Sequence, residues 1–172
     1  MSGASGGRVQ PGKLVLERDT WLVENFVNPG CVQTIKDAQM KHKIQVRDCD
    51  GLALQVEPKV NSVILDSCKN MRVCVSNLIA TIEIVNCQKV KLQVTGTVPS
   101  ISIDKSQKVD IYVSEKSKNV EITTSKSSEM NLNYPQPGDE GDWVEVVVPE
   151  QFHHKLDTNG KLHTRVSDLY SC

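Results

Sequence analysis

Cys49, Cys68 and Cys87, followed by Ser106 and Ser125, recur at an unbroken spacing of nineteen residues, and they are the first side chains that could do chemistry. Stacked thiols could hold a soft metal or pair as disulfides. A tetrahedral zinc site wants cysteine pairs roughly two to four residues apart, and this chain has none. Disulfides between neighbouring repeats are sterically conceivable. The start of the chain, Met1 to Gly7, lacks the apolar core of a secretory signal, so reduced thiols in a cytoplasmic setting are expected. The column therefore reads as small, weakly polar side chains packed inward. Cys31, Cys74 and Cys172 follow no pattern. His153 and His154 are adjacent, so in a strand they face opposite ways, and a solvated position is expected. No metal or cofactor is expected.

Charged groups offer three further possibilities. Asp66, Asp104, Asp110 and Glu121 would be outward acids, as in β-helical polysaccharide lyases, but no candidate base gathers with them. Gln45-Val46-Arg47 has the form of a Gln-x-Arg arginine finger, the device by which relatives of tubulin cofactor C stabilise charge during GTP hydrolysis. Lys69, Arg72, Lys89 and Lys91 form a basic strip, with Lys105 and Lys108 at nearby turns. Such a strip suits an acidic protein face.

Elements that could position these groups follow from the same period. Ile44, Val63, Ile82, Ile101 and Val120 form a second column, and Val46, Leu65, Ile84, Ile103 and Ile122 a third. Leu52, Met71, Val90, Val109 and Ser128 continue the series, then Leu54, Val73, Leu92, Ile111 and Met130, then Val56, Val75, Val94, Val113 and Leu132. A fixed period near twenty residues marks a solenoid. Within each repeat the apolar positions alternate and are mostly Val, Ile and Leu, which is a strand signal. The leucine-and-asparagine pattern of leucine-rich repeats is absent. Each repeat is thus expected to be one coil of a parallel β-helix, with no insertion across five repeats. An outward column then reads Ala53, Arg72, Lys91, Asp110, Glu129. Aromatic residues are only 4% of the chain, as suits a narrow aliphatic interior.

The chain has 172 residues and a net charge of −1, so no global field selects nucleic acid or an acidic membrane. No apolar run approaches the roughly eighteen residues of a spanning helix. The expected organisation is a flexible tail over 1–12, a β-helix over 13–134, and a C-terminal extension over 135–172. Leu14, Leu16, Trp21, Val23 and Phe26 should form an imperfect first coil and cap. After the loop 135–142 comes a strand from Trp143 to Val148. A hairpin follows, whose Asn159-Gly160 turn favours positive φ at both central residues. The apolar residues Trp143, Val144, Val146, Val148, Phe152, Leu156, Leu162, Val166 and Leu169 need cover, and a second copy of the chain would supply it.

Several stretches resemble the C-terminal domain of cyclase-associated proteins. They are Trp21-Leu22-Val23-Glu24-Asn25, the block from Val94 to Ile103, the run from Ser125 to Asn131, and Val148-Pro149-Glu150-Gln151-Phe152. The resemblance implies an all-β, right-handed parallel β-helix that dimerises by exchanging C-terminal strands. It implies binding of monomeric actin, preferably its ADP form, and faster exchange of ADP for ATP, without enzymatic chemistry. Full-length relatives also carry an N-terminal helical domain, a proline-rich segment and a WH2 motif, none of which this sequence holds. A fragment or a short form is therefore expected. The ending Asp168-Leu169-Tyr170-Ser171-Cys172 differs from the family's usual one. Actin is acidic, so Lys69, Arg72, Lys89 and Lys91 are candidate contacts. Ser127, Glu129 and Asn131 join them from the matching run, and Asn86 from a coil corner. A purely structural dimer is the remaining alternative to actin binding and to the arginine finger.

Overall fold

The computed structural model describes residues 10–138 and 141–170. Most of the expected tail, residues 1–9, lies outside the described residues, as do Asp139 and Glu140 of the loop and the terminal Ser171-Cys172.

Alternating apolar residues give short strands, two to a coil. One sheet collects β2 (Thr20–Glu24), β4 (Lys43–Arg47), β6 (Ser62–Asp66), β8 (Thr81–Val85), β10 (Ser100–Asp104) and β12 (Glu121–Ser125), all parallel. The other collects β3 (Gln33–Ile35), β5 (Ala53–Val56), β7 (Lys69–Val75), β9 (Gln88–Val94), β11 (Gln107–Val113) and β13 (Ser128–Pro135), again parallel. Together they make a β-solenoid of about 6 turns. Successive turns stack at the strand spacing of about 4.8 Å. Every second side chain points inward, so Ile44, Val63, Ile82 and Ile101 form one fully buried ladder and Leu54, Val73, Leu92 and Ile111 another. Each buried aliphatic side chain contributes about 1.5–3 kcal/mol before entropy is subtracted.

Within the five expected repeats the period breaks once, in the last coil; the first coil, before them, is also longer, with Trp21 beside Ile44 and Gln33 beside Leu54. The step from the end of one sheet-2 strand to the next sheet-1 strand is six residues from Val75 to Thr81 and from Val94 to Ser100, but eight from Val113 to Glu121. The two extra residues are absorbed by a 3₁₀ turn, Glu115–Ser117. Ser117 is buried there. Its hydroxyl donates to the Gly96 carbonyl at 3.0 Å and accepts the Val98 N–H at 3.0 Å, so the longer arc closes without orphaned polar groups. The expected columns are therefore corrected by two residues at their last member. Ile122, not Val120, lies beside Ile101, and Met130, not Ser128, lies beside Val109.

Both sheets are closed at one edge by an antiparallel strand. At the N-terminal end β1 (Lys13–Glu17) pairs with β2, while Leu14, Trp21 and Phe26 pack against the core. Leu16 does not share in this cap: it stands on the same face as Leu14, opposite Trp21, but on the uncovered edge strand near the turn, and it is exposed. Buried His42 fastens the cap, accepting at Nδ1 from the Trp21 indole N–H (3.1 Å) and from the Gln39 N–H (3.0 Å). His42→Phe would fill the space yet leave both donors without a partner. We expect it to lower stability by about 1–3 kcal/mol, read as a shift in the urea midpoint at unchanged m-value.

At the C-terminal end β14 (Trp143–Val147) pairs antiparallel with β13 of the same chain. Beyond it β15 (Phe152–Leu156) and β16 (Leu162–Val166) form a separate hairpin. Its turn departs from expectation, since of the pair Asn159-Gly160 only Gly160 has positive φ, at 79°. The reason is Asp157, whose side-chain oxygen Oδ1 accepts the N–H groups of Asn159 and Lys161 and holds the first part of the turn in ordinary right-handed geometry.

Candidate functional site

Each coil bends sharply where it passes from the first sheet to the second. The bend needs a left-handed residue, and Asp48, Ser67, Asn86, Lys105 and Lys126 supply it at φ 52°, 56°, 53°, 50° and 49°. Asparagine and aspartate tolerate this conformation well, which accounts for Asn86. For lysine it costs about 1–2 kcal/mol.

Next to each bend sits the ladder of small polar groups. Cys49, Cys68 and Cys87 donate S–H to the carbonyls of Arg47, Asp66 and Val85 at 3.2, 3.3 and 3.2 Å. Ser106 donates to Asp104 at 2.9 Å, and Ser127, not Ser125, completes the series with a bond to Ser125 at 2.8 Å. The column thus selects a small side chain with a donor reaching back two residues. Neighbouring thiols, Cys49 first and then Cys87, push the Cys68 thiol up, and burial adds to the effect, so it stays protonated. The described cysteines are free thiols, and among the described residues no group of three or more His, Cys, Asp or Glu gathers as a metal site.

The cations of the expected strip do come together. Arg72 and Lys91 are register partners on β7 and β9, and Lys91 is in turn beside Asp110 on β11. With the outward column between Gln55 and Tyr112 they wall a groove of about 530 Å³ on the second sheet, ended by Trp143 and Val32. Lys89 and Lys108 join Arg72 and Lys91 around a second hollow of about 390 Å³. Lys69 opens β7 at the corner, facing a third hollow with Asn86, Lys105 and Lys126. Among the described residues none of these cations is in a salt bridge. Lys126 was missed by sequence reasoning, because the two-residue insertion hides its column.

The run from Ser127 to Asn131 sits differently from expectation. The Ser127 hydroxyl is committed to the ladder and also accepts the Ser106 N–H at 3.1 Å. Asn131, not Glu129, continues the outward column after Asp110, and its amide donates to the Asp110 carboxylate at 3.0 Å. Glu129 is exposed at a second left-handed column, with its N–H on the Glu150 carboxylate.

Other candidates are scattered. Arg47 donates from Nε to the Gln45 side-chain oxygen at 2.9 Å, so the Gln-x-Arg arginine lies along its own strand. Asp66 accepts from Ser67 and Asp110 from Asn131, on different coils. His163 pairs with Asp157 at 2.8 Å, and this contact, with the turn N–H bonds, holds the Asp157 carboxyl below its usual range. The expected dimer residues divide in two. Val144 and Val148 are half-buried on the solenoid end, and Trp143 meets Tyr112 edge to face at 5.2 Å. Val146, Phe152, Leu156, Leu162, Val166 and Leu169 are exposed, Leu169 to 77%. No helix among the described residues is long and apolar enough to cross a membrane.

A family model described as "Adenylate cyclase associated (CAP) C terminal" matches residues 10–169. The adenylyl cyclase-associated protein of Schizosaccharomyces pombe is 34% identical over 92% of the chain, and adenylyl cyclase-associated protein 1 of Homo sapiens 39% over 93%. The chain spans 28% and 33% of the length of these two relatives. Among solved structures, the cyclase-associated protein of Cryptosporidium parvum superposes with a TM-score of 0.88 at 47% identity, covering 92% of this chain and 96% of that one.

Proposed function

The chain belongs to the cyclase-associated protein family, matching its C-terminal part, and from that premise we propose that it binds monomeric actin, preferably in the ADP form, and speeds nucleotide exchange. The observation that carries this reading is the run of outward cations, Lys69, Arg72, Lys89 and Lys91, none in a salt bridge among the described residues. Parallel ladders hold them at regular intervals on a rigid surface, which suits the acidic face of a globular partner. Asn86 lies at the corner end of this surface, and Glu129 and Asn131 at its last-coil end.

The mechanism is differential binding. A rigid solenoid that fits actin better with its nucleotide cleft slightly open shifts the population toward release. No covalent step is involved. The protein acts as a homodimer in the cytoplasm, supporting filament turnover, and two actin sites add avidity where geometry lets both engage.

Release of a fluorescent ADP analogue from actin, followed at increasing concentrations of the protein, tests the reading. The rate should rise and saturate. An unchanged rate at a concentration that saturates binding would refute the exchange activity. Equal affinity of the protein for ADP-actin and ATP-actin would refute the preference.

A further inference from the structure

The corner hollow has features that an acidic protein face does not call for. It measures about 510 Å³, and its lining residues include the donor-bearing Lys69, Lys105, Lys126, Asn86, Gln88 and Ser128. No carboxylate lines it. Asp66 and Asp104 precede the bend on the first sheet, where Asp66 accepts from Ser67. Glu129 lies past the far edge, accepting from Gln107. The six lining groups named make no side-chain hydrogen bond among the described residues, so their donors are available.

Two facts bear on what this hollow holds; Lys89 and Lys108 share them one column over, but there Asp110 lines the hollow. Lys105 and Lys126 occupy the same position on successive coils, one strand spacing of about 4.8 Å apart at the backbone. Both take the left-handed conformation that lysine adopts at a cost, where earlier coils use Asp48, Ser67 and Asn86. The chain thus keeps two like charges together at strained positions and provides no acid between them. A monovalent anion relieves such a pair poorly. A group carrying more than one negative charge, set between ammonium groups and further bonded by amides and a hydroxyl, relieves it well.

We propose that this corner hollow binds a ligand bearing two or more phosphate groups. Lys105 and Lys126 take the phosphates jointly, Lys69 closes the opposite side, and Asn86, Gln88 and Ser128 donate to the remaining oxygens. The size suits a compact phosphorylated ring or a free polyphosphate. Lys69 and Asn86 also belong to the surface proposed for actin, so a bound polyphosphate should compete with that partner.

Binding is measured on the whole chain without actin, so that its failure is separate from failure of the actin reading. Calorimetry with inositol hexakisphosphate tests a soluble source. Flotation with phosphatidylcholine vesicles, with and without a lipid of bis-phosphorylated headgroup, tests a membrane source. Saturable binding in either arm supports the site, and the arm in which it occurs names the source. Lys105→Ala with Lys126→Ala should weaken binding at least tenfold. Lys36→Ala with Lys43→Ala, which removes the same charge from exposed positions elsewhere, should leave it within about twofold. No binding in either arm, equal weakening by both double variants, or equal affinity for a tricarboxylate would each overturn the proposal.

Discussion

Reversing Lys69, Arg72 and Lys91 together to glutamate is expected to weaken actin binding on the order of a hundredfold. A single exposed ion pair contributes only about 0.2–1 kcal/mol, so one reversal would be hard to read. Three reversals replace attraction by repulsion at three points of one surface, and like charges across an interface cost several kcal/mol in sum. Arg72 and Lys91 are register partners, so their effects should couple and be larger together than apart. The fold should survive, because all three side chains are exposed and their strands are held by backbone bonds such as Lys69 N–H to Cys49 C=O at 2.9 Å. Three measurements make the test complete. Actin affinity should fall, nucleotide release should lose its acceleration, and the thermal midpoint should move by only a few degrees. Wild-type affinity should also drop steeply with added salt, and the triple variant's should not. Full affinity in the variant would remove this surface from the actin interface. A collapse of the thermal midpoint would show that the cations hold the fold.

Much of the solenoid was legible because its interior repeats. An inward side chain must match those above and below it, so Ile44, Val63, Ile82 and Ile101 had to recur in register, as stacked repeats demand. The insertion in the last coil was illegible for a specific reason. Val120 and Ile122 are both β-branched, and Ser125 and Ser127 are both serine, so these two columns look intact in either register, while the Val109 column ends on Ser128 in one and the Ile103 column on Thr124 in the other. Only the backbone pairing of Ile101 with Ile122 and Asp110 with Asn131 decides between them. That one ambiguity carried Ser127 away from the ladder, placed Glu129 on the arginine column, and concealed Lys126 behind Lys105. The thiol column was legible as packing. Its deeper rule, a donor reaching the carbonyl two residues back, shows only once the bend is seen, and it explains why serine replaces cysteine there without loss. Exposure at the chain ends was the least legible, because Leu16 is apolar by type and shares a face with Leu14, yet lies uncovered on the edge strand beside the turn at Arg18 and Asp19.

A chain ending at Glu150 should be monomeric, and this is the second large effect expected. The expected dimer residues include Trp143, Val144, Val146 and Val148 of β14, which lies antiparallel on β13 of its own chain, with Val148 packed against the core. Cutting at Tyr134 would therefore strip an edge from the solenoid and confuse folding with assembly. The hairpin is the separable part. Its register puts Phe152 opposite Val166 and Leu156 opposite Leu162 on one face, and His153 opposite Arg165 and Lys155 opposite His163 on the other. Phe152, Leu156, Leu162 and Val166 are 44%, 63%, 57% and 41% exposed, and a two-stranded hairpin is marginal in water unless such a face is covered. Burial against a second copy covers both hairpins at once by symmetry. Light scattering should give twice the chain mass for the full protein and one chain mass for the truncated one, while the solenoid keeps its cooperative unfolding. Leu156→Glu with Leu162→Glu should reproduce the monomer without deleting any residue, since two carboxylates on that face would have to be buried unpaired in the dimer. Retention of the dimer by both variants would move the interface off the hairpin and onto the solenoid ends.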